Sequence, residues 1–509
     1  MQLLCLQKNE KAFYYATHDV NAVTKFLTVN NQTSNVSVLT ETETPKDWTS
    51  ITGNFVLPWK TCVGIDPEGW IEAVKKWYRP FSYTAKWGRP RVYDNKRPDW
   101  LLNNNLWLST GSPSVDNVNA TIRTLNYFNP EYTSCHAYYW HNYDFDTHYP
   151  EFLPPKPMFD YMIDTIKSIS SHIVPYINGR LWDTTTVYFQ EQNAHDFAIT
   201  NKDGTIRVET YANTPSAVMC PSTSIWKKTL TDLCDTLTNK LNVSGVYIDQ
   251  VGCSRPYPCW NENHNHTLGG GNFWSNSYRD IISNIKQKIP ADAIISTEQN
   301  AECYIDLFDI MFMANTPLGN DYKRVPLFQY IYSDRSLMYS LDNYNDRDNY
   351  RSLLFKSSLA FLWGSQLGSY QPDFIMNRTL VKHREFVRDL VNFRATQKNI
   401  FNGGRLIKEL IPTGDNPEIY ISEYEKTNVI RGSQWIGANG EEVTYYINFD
   451  DKKHNVYLAD GQEYELQALS YLRIPEISPV ETEEIEYDTV RIENYVTDNK
   501  FSQVSFETE

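Results

Sequence analysis

The segment Gly245–Asp249, with the sequence GVYID, constrains the fold of this chain more than any other stretch. Its central residues, Val246 to Ile248, are β-branched or aromatic and carry no charge, which is typical of a buried strand of a parallel sheet. The strand ends on a carboxylate, and a loop rich in Gly, Pro and Asn follows at 252–272. Burying a carboxylate at the end of an apolar strand is costly unless the group has a partner or a chemical task.

A second apolar strand that ends in a carboxylate follows at 293–300, with the sequence AIISTEQN. The pattern of the intervening segment 273–289 predicts a helix. Neighbouring parallel strands lie about 4.8 Å apart, so Asp249 and Glu298 are expected to meet at one edge of the sheet. In a (β/α)₈ barrel that edge carries the catalytic groups.

Strand and helix patterns alternate over roughly 290 residues, which predicts a single (β/α)₈ TIM barrel. A doubly wound open sheet is the alternative, but no Gly-rich nucleotide fingerprint follows any strand. Period-2 patterns on both sides predict flanking antiparallel β-sandwiches. The predicted parts are an N-terminal β-sandwich portion (1–65), a helix and connector (66–103), the catalytic barrel (104–400), a C-terminal β-sandwich (401–477) and an acidic tail or last strand (478–509).

The net charge of −15 argues against nucleic acid or an anionic membrane as a partner. The 14 Trp and 35 Tyr suit a carbohydrate substrate, because sugars offer apolar C–H faces ringed by hydroxyls. No apolar run reaches the length of a membrane span, and the start does not match a signal peptide. A cytoplasmic location fits the chain as it stands, and an exported one fits if a leader or an N-terminal part has been removed. The oligomeric state is open.

The eight cysteines show no paired-motif spacing. Cys253 and Cys259 flank one loop and could pair in an oxidising compartment. A metal site of Cys253, Cys259, His264 and His266 is conceivable, but its spacing matches no familiar zinc pattern. The expectation from the sequence is therefore no metal and no cofactor.

Two carboxylates on successive strands favour glycoside hydrolysis, which needs a pair about 5–5.5 Å apart for retention and about 6.5–9.5 Å for inversion. Asp249 is predicted to be the ionised nucleophile. Glu298 is predicted to be the acid/base, with a pKa raised by its apolar surroundings and its neighbour. In the competing interpretation Asp249 caps a loop or helix and Glu298 pairs with an arginine.

The motifs GVYIDQ at 245–250 and STEQNAE at 296–302 resemble an uncharacterised bacterial glycosidase-like family, domain of unknown function 6259. More distantly the chain is similar to glycoside hydrolase family 101, the endo-α-N-acetylgalactosaminidases, and to α-amylase-like barrels. Those barrels place the nucleophile Asp after strand four and the acid/base Glu after strand five. The resemblance implies an α-retaining glycosidase fold without fixing the substrate. Its further motifs are DPEGW (66–70), PYINGRLWD (175–183), VMCP (218–221) and VPLFQ (325–329).

Eight further residues near the predicted strand ends are candidates for binding substrate. Trp140 could stack on a sugar ring or simply pack in the core, and His141 could donate to a hydroxyl or brace a loop. Arg180 could hold Asp249 ionised, or it could pair with Asp183. The full set is Trp140, His141, Asn178, Arg180, Asp183, Gln250, Asn300 and Glu302, of which Glu302 is also a rival for the acid/base.

Two other classes of protein remain open. A metal-dependent barrel hydrolase would use His136, His141, Asp249 and Glu298 as ligands, although no strand carries a His-x-His pair. A glycan-binding protein on a degenerate barrel would keep its aromatic residues and lose turnover. Both candidate carboxylates are present, so degeneracy is not required.

Overall fold

The computed structural model describes residues 1–31, 36–49, 56–313, 324–341, 350–422 and 425–475. Its centre is a sheet of eight parallel strands, as the alternating pattern predicts. The strands, numbered here in barrel order, are β1 (Leu106–Thr110), β2 (Thr133–Ala137), β3 (His172–Asn178), β4 (Gly245–Asp249), β5 (Ile294–Glu298), β6 (Ile310–Phe312), β7 (Met338–Tyr339) and β8 (Leu367–Tyr370).

The eight strands form a nearly closed barrel. Their order is β7-β6-β5-β4-β3-β2-β1-β8, so each strand pairs with its neighbour in sequence and β8 pairs with β1. A parallel bridge between Tyr339 and Gln366 joins the two ends of the sheet. The TIM barrel predicted from the sequence is confirmed, and all carboxyl ends of its strands lie on one face.

Helices pack around the strands through apolar faces. The Ser114 side chain caps the first of them by accepting a hydrogen bond from the Asn117 N–H. The main helices are α1 (Val115–Phe128), α2 (Phe159–Ser168), α3 (Ser224–Asp235), α4 (Phe273–Lys288), α5 (Leu327–Tyr332), α6 (Tyr350–Leu362) and α7 (Val381–Thr396). Only the short 3₁₀ turn Glu302–Tyr304 lies between β5 and β6. Shorter helical segments are Lys46–Thr49, Asp99–Asn103, Pro130–Tyr132, Val187–Glu191, Ala194–Phe197, Thr236–Lys240, Pro372–Ile375, Arg378–Leu380 and Lys398–Phe401.

Antiparallel structure precedes the barrel and is also inserted into it. The N-terminal strands form a three-stranded sheet and a hairpin, and a helical segment (Trp70–Ser82) follows them. A small three-stranded sheet is inserted between β3 and α3. The N-terminal strands are Leu3–Lys8, Lys11–His18, Lys25–Asn31, Val36–Thr42 and Lys60–Asp66, and the inserted ones are Leu181–Asp183, Val208–Tyr211 and Thr214–Val218.

The chain returns to antiparallel structure after α7. A four-stranded sheet faces a three-stranded one across a small apolar core that includes Ile430, Tyr446 and Val456. The strands are Arg405–Leu410, Thr413–Gly414, Glu418–Tyr420, Lys426–Asn428, Ile430–Ile436, Glu442–Asn448, His454–Tyr457, Glu463–Leu466 and Ser470–Pro475. The predicted acidic tail at 478–509 lies outside the described residues.

None of the described helices is both long enough and apolar enough to cross a membrane.

Candidate active site

Two carboxylates meet at the carboxyl ends of β4 and β5. Asp249 is the last residue of β4, and Glu298 is the last residue of β5. Tyr247 pairs in register with Ser296, so the next positions on the same face, Asp249 and Glu298, are also neighbours. Their nearest carboxylate oxygens lie within 4.8 Å of each other, and both side chains are partly exposed.

The strands end abruptly after each carboxylate. Gln250 and Gln299 take positive φ values of 68° and 60°, which turn the chain out of the strand direction. The Gln299 N–H donates to the carbonyl of Phe312 on β6, so the turn after Glu298 is tied to the neighbouring strand. Both carboxylates therefore sit on rigid strand ends, which fixes their separation.

The Asp249 carboxylate has a direct hydrogen-bond donor in Tyr176. Tyr176 Oη on β3 donates to Asp249 Oδ2 at 2.9 Å. Burial, together with the hydrogen bond and charge of Glu298, raises the pKa of Asp249 well above its ordinary value, and Tyr176 opposes this rise. Burial also raises the pKa of Tyr176, so its hydroxyl remains a donor. The sequence predicts an ionised Asp249, whereas its burial and the adjacent Glu298 favour the protonated form of this carboxyl.

The thiol of Cys253 completes the group. Cys253 Sγ donates to Glu298 Oε2 at 3.2 Å and lies within 4.8 Å of the ligand oxygens of both carboxylates. Cys253 is exposed at the surface, but partial desolvation of its thiol, together with Glu298 and Asp249, raises its pKa, so the thiol stays neutral. The sequence singles out Cys253 only as a possible partner of Cys259, but both thiols are free and Cys259 lies in a different cluster.

Aromatic rings fill the barrel beneath the carboxylates. His136 on β2 lies 4.4 Å from the ring of Tyr247, which in turn lies 5.9 Å from Phe312. Phe312 stacks at 4.8 Å on Tyr339 of β7. Burial lowers the pKa of His136 to about 3, so His136 is a neutral ring among these aromatic side chains inside the barrel. A metal-dependent site built on His136 is not supported, because among the described residues it is Cys253 that joins the two carboxylates.

Trp140 and His141 lie in the core. The sequence places them on the second strand, but β2 ends at Ala137. The chain at Trp140 and His141 instead pairs with the segment at Pro155 and Lys156. Trp140 is fully buried against Phe152 and donates from Nε1 to the Tyr176 carbonyl at 2.7 Å. His141 is also buried, and burial lowers its pKa to about 4. Of the two interpretations left open by the sequence, core packing is the one that the structure shows for Trp140, and the His141 ring packs edge-on against Phe152 at 5.2 Å.

Arg180 pairs with a residue that the sequence does not indicate. Its guanidinium holds both oxygens of Glu209, on the inserted strand Val208–Tyr211, at 3.1 and 2.6 Å. Arg180 Nε also donates to Gln250 Oε1 at 3.1 Å. The structure thus shows a different partner for Arg180 from the two that the sequence left open, Asp249 and Asp183. Burial tends to raise the pKa of Glu209, but the hydrogen bond and charge of Arg180 bring it below its ordinary value.

Asn178 and Asp183 organise the turns beside the site. Asn178 Oδ1 accepts from the N–H groups of Arg180 and Leu181, both at 2.9 Å. Asp183 is buried and accepts from the His148 N–H and from Thr185. Asn178 is held by its own turn, whereas Asp183 also ties that turn to the loop of His148; both side chains are buried.

The remaining candidates separate from one another in the fold. Gln250 is almost buried and turns towards Arg180, while Asn300 stays partly exposed beyond β5. Glu302 is buried, and Tyr78 and Tyr332 donate to its oxygens at 2.8–2.9 Å. Glu302 is thus a structural acceptor rather than a rival for the acid/base.

Three site residues were missed by the sequence analysis. Tyr176, two positions before Asn178 on β3, could have been found from strand alternation, because it shares the inward face with Asp249. Tyr138 lies 5.6 Å from the Tyr176 ring, and its pKa is raised by burial, then by Tyr339, Asp249 and Glu298. Cys253 carries no local signal, because only the folded loop brings it to Glu298.

Comparisons with known proteins agree with this architecture. The family model described as "Domain of unknown function (DUF6259)" matches residues 55–344. A protein of Bacteroides thetaiotaomicron named "Putative glycoside hydrolase" is 35% identical over 93% of this chain and 71% of its own length. The chain belongs to the DUF6259 family, and it is an enzyme of the glycoside hydrolase class.

Solved structures share the fold at low sequence identity. The α-N-acetylgalactosaminidase NagBb from Bifidobacterium bifidum, in complex with GalNAc, matches with a TM-score of 0.61 at 12% identity, over 92% of this chain and 74% of that one. The GH36 α-galactosidase AgaA from Geobacillus stearothermophilus matches with a TM-score of 0.56 at 8% identity, over 93% and 68%. At these identities the likeness shows the fold.

Proposed function

We propose that this protein is a retaining α-glycosidase in which Asp249 is the nucleophile and Glu298 the acid/base. The observation that carries the proposal is the approach of their carboxylate oxygens to within 4.8 Å across the ends of β4 and β5. Oxygens this close favour the narrow spacing of carboxyl groups, about 5–5.5 Å, that double displacement uses over the wider gap that admits a water for inversion.

The reaction requires one proton on the carboxyl pair. Glu298 gives this proton to the glycosidic oxygen while Asp249 attacks the anomeric carbon, which forms a covalent glycosyl-enzyme and releases the aglycone. Glu298 then takes a proton from water, and this water cleaves the ester and regenerates the pair. Tyr176 Oη stabilises the charge that returns to Asp249 in the second step.

The assignment of roles rests on reach and on neighbours. Asp249 has the shorter side chain and a donor at 2.9 Å, which suits a fixed attacking group. Glu298 has the longer side chain, which suits a group that must reach the glycosidic oxygen, and it accepts a hydrogen bond from Cys253 Sγ at 3.2 Å. Tyr138, which is partly exposed, replaces Trp140 as the aromatic face beside the pair.

The substrate class is an α-linked oligosaccharide, polysaccharide or glycoconjugate. The proposal of α-specificity is supported by the fold shared with an α-N-acetylgalactosaminidase and an α-galactosidase. Aryl α-N-acetylgalactosaminide and aryl α-galactoside are therefore the first substrates to assay, followed by the corresponding gluco and manno compounds and their β-anomers.

Two measurements test the mechanism. With an active substrate, NMR of the first product should show the α-anomer, and an α-configured cyclophellitol aziridine should label Asp249, as located by peptide mass spectrometry. Asp249→Asn and Glu298→Gln should each lower kcat by at least about 10³-fold. Glu302→Gln is the matched control, because Glu302 is a buried carboxylate in the same segment. This variant should lose stability, but its folded fraction should keep the kcat of the unaltered chain.

The alternative is a glycan-binding protein on a barrel that has lost turnover. In that case Asp249→Asn would keep its affinity for glycans in an array or calorimetric assay, and no substrate would be cleaved by the unaltered chain. A product of inverted configuration would support glycosidase activity but overturn the retaining mechanism.

A further inference from the structure

Four metal-binding side chains meet away from the carboxylate pair. One ligand atom each of Cys220, Cys259, His264 and His266 lies within 4.8 Å of all the others. Three of the four residues are buried, and His266 is partly buried. Cys259 Sγ lies 3.3 Å from His264 Nδ1.

The second nitrogen of each imidazole is already engaged by the backbone. His264 Nε2 lies 3.0 Å from the Asp196 carbonyl, and His266 Nδ1 lies 2.8 Å from the Thr267 carbonyl. A carbonyl only accepts, so these nitrogens carry the protons and leave lone pairs on His264 Nδ1 and His266 Nε2. This arrangement is typical of metal ligands, whose other ring nitrogen is usually fixed by a carbonyl or a carboxylate.

One atom of the cluster lacks a partner from the protein. His266 Nε2 is buried and has no hydrogen bond, which is costly for a polar atom removed from water. A cation between the two sulfurs and the two lone-pair nitrogens would satisfy this atom.

We propose that Cys220, Cys259, His264 and His266 bind one Zn²⁺ ion in a closed, structural site. Two thiolates with two imidazoles favour zinc over harder cations such as Ca²⁺ or Mg²⁺. Tetrahedral zinc, with bonds of about 2.3 Å to sulfur and about 2.0–2.1 Å to nitrogen, places its ligand atoms about 3.3–3.8 Å apart. The four donors need only small side-chain adjustments to reach these separations.

The site joins two segments that are distant in sequence. Cys220 follows the inserted strand Thr214–Val218, whereas the other three ligands lie in the loop between β4 and α4. The same loop carries Cys253, which contacts Glu298. The ion thus fixes this loop against the insertion and, indirectly, holds one wall of the active site. The zinc site departs from the expectation of no metal, and it does not depend on the proposed glycosidase mechanism.

The sequence does not indicate this set of four ligands; its local spacing suggests Cys253 in place of Cys220. Cys253 lies in the same loop as Cys259, while Cys220 lies in a separate element that only the tertiary structure brings near. The resulting spacing matches no familiar zinc pattern.

Metal analysis of the full chain tests the site. We expect about one zinc per chain by inductively coupled plasma mass spectrometry after reduction, exposure to zinc and gel filtration in metal-free buffer. Cys220→Ala and His264→Ala should reduce the zinc content to background. Cys234→Ala is the matched control, because it removes a buried thiol from α3, outside the cluster, and should keep the zinc.

A second measurement covers variants that fail to fold. In the unaltered chain, mercurial titration should release the zinc as two thiols react. Cobalt in place of zinc should show thiolate-to-cobalt charge transfer and the visible bands of tetrahedral coordination. The proposal is overturned if the reduced, zinc-exposed chain binds no zinc, if Cys220→Ala retains it, or if the cobalt spectrum shows no thiolate ligand.

Discussion

Replacing Tyr176 by phenylalanine should move the acid limb of the pH–activity profile to higher pH. The hydroxyl of Tyr176 donates to Asp249 Oδ2 at 2.9 Å and so favours the ionised carboxylate. A hydrogen bond to a charged group contributes about 1.5–3 kcal/mol. One pKa unit corresponds to about 1.36 kcal/mol. The pKa of Asp249, and with it the acid limb, should therefore rise by about 1–2 units.

The sign follows from the form that reacts. Asp249 attacks as a carboxylate, so the loss of its donor reduces the reactive fraction at low pH, and activity returns as the pH rises. The assay is kcat/KM against pH on the best aryl glycoside. Infrared titration of the protonated carboxyl, with Asp249→Asn as the blank, reads the same shift without a substrate.

The matched control is Tyr370→Phe. Tyr370 on β8 is also a buried tyrosine, and its hydroxyl lies 2.6 Å from Ser357 Oγ, away from the carboxylates. This variant should lose stability and keep the acid limb in place. An unmoved limb in Tyr176→Phe, or a limb that moves to lower pH, would refute the reasoning.

Three further predictions concern the same region. Asp249→Asn should raise Tm at neutral pH. The folded-state pKa of Asp249 lies above its unfolded value, so the folded protein loses stability as the pH rises and the unfolded chain ionises. The gain in Tm should vanish in thermal scans below the unfolded pKa of about 3.9. Glu209→Ala should lower the free energy of unfolding by about 3–5 kcal/mol in denaturant titrations, since it leaves the Arg180 guanidinium, only 2% exposed, without its partner. Recovery of stability in the double variant Glu209→Ala with Arg180→Met would confirm that cause. A Glu209→Ala variant of unchanged stability would contradict it. Iodoacetamide should inactivate the enzyme slowly at pH 7 and faster at higher pH, because it alkylates the thiolate of Cys253 beside Glu298. The Cys253→Ser variant should resist this inactivation. An equal loss of activity in the unaltered chain and in Cys253→Ser would contradict the prediction.

The barrel was predictable because its signals are local. Apolar runs such as Gly245–Asp249, each followed by a loop and a helix, need only periodicity and composition to be recognised. Parallel strands joined by helices place their carboxyl ends on one face, so the neighbourhood of Asp249 and Glu298 also follows from the order of elements. The distance of 4.8 Å or less between them agrees with this expectation.

The failures occurred where a strand end or a partner had to be known. The sequence pattern predicts that Trp140 lies at the end of a strand, but β2 ends at Ala137 and the Trp140 indole is buried in the core. Asp183 is the only acidic residue within ten positions of Arg180 in the sequence, yet Arg180 binds Glu209, which is brought in by an inserted sheet. Neither outcome has a periodic signature, because each depends on packing between segments that are distant along the chain.

By itself the sequence determined the (β/α)₈ barrel, the β-sandwich that follows it and the two carboxylates at the ends of successive strands, since these depend on residue type and short-range spacing. The tertiary structure alone decided which groups surround those carboxylates. Tyr176 reaches Asp249, Cys253 reaches Glu298, and Cys220 joins the loop histidines, because each contact is made across strands or loops. The free energy of such contacts depends on three-dimensional burial and hydrogen-bond geometry, which linear spacing does not encode.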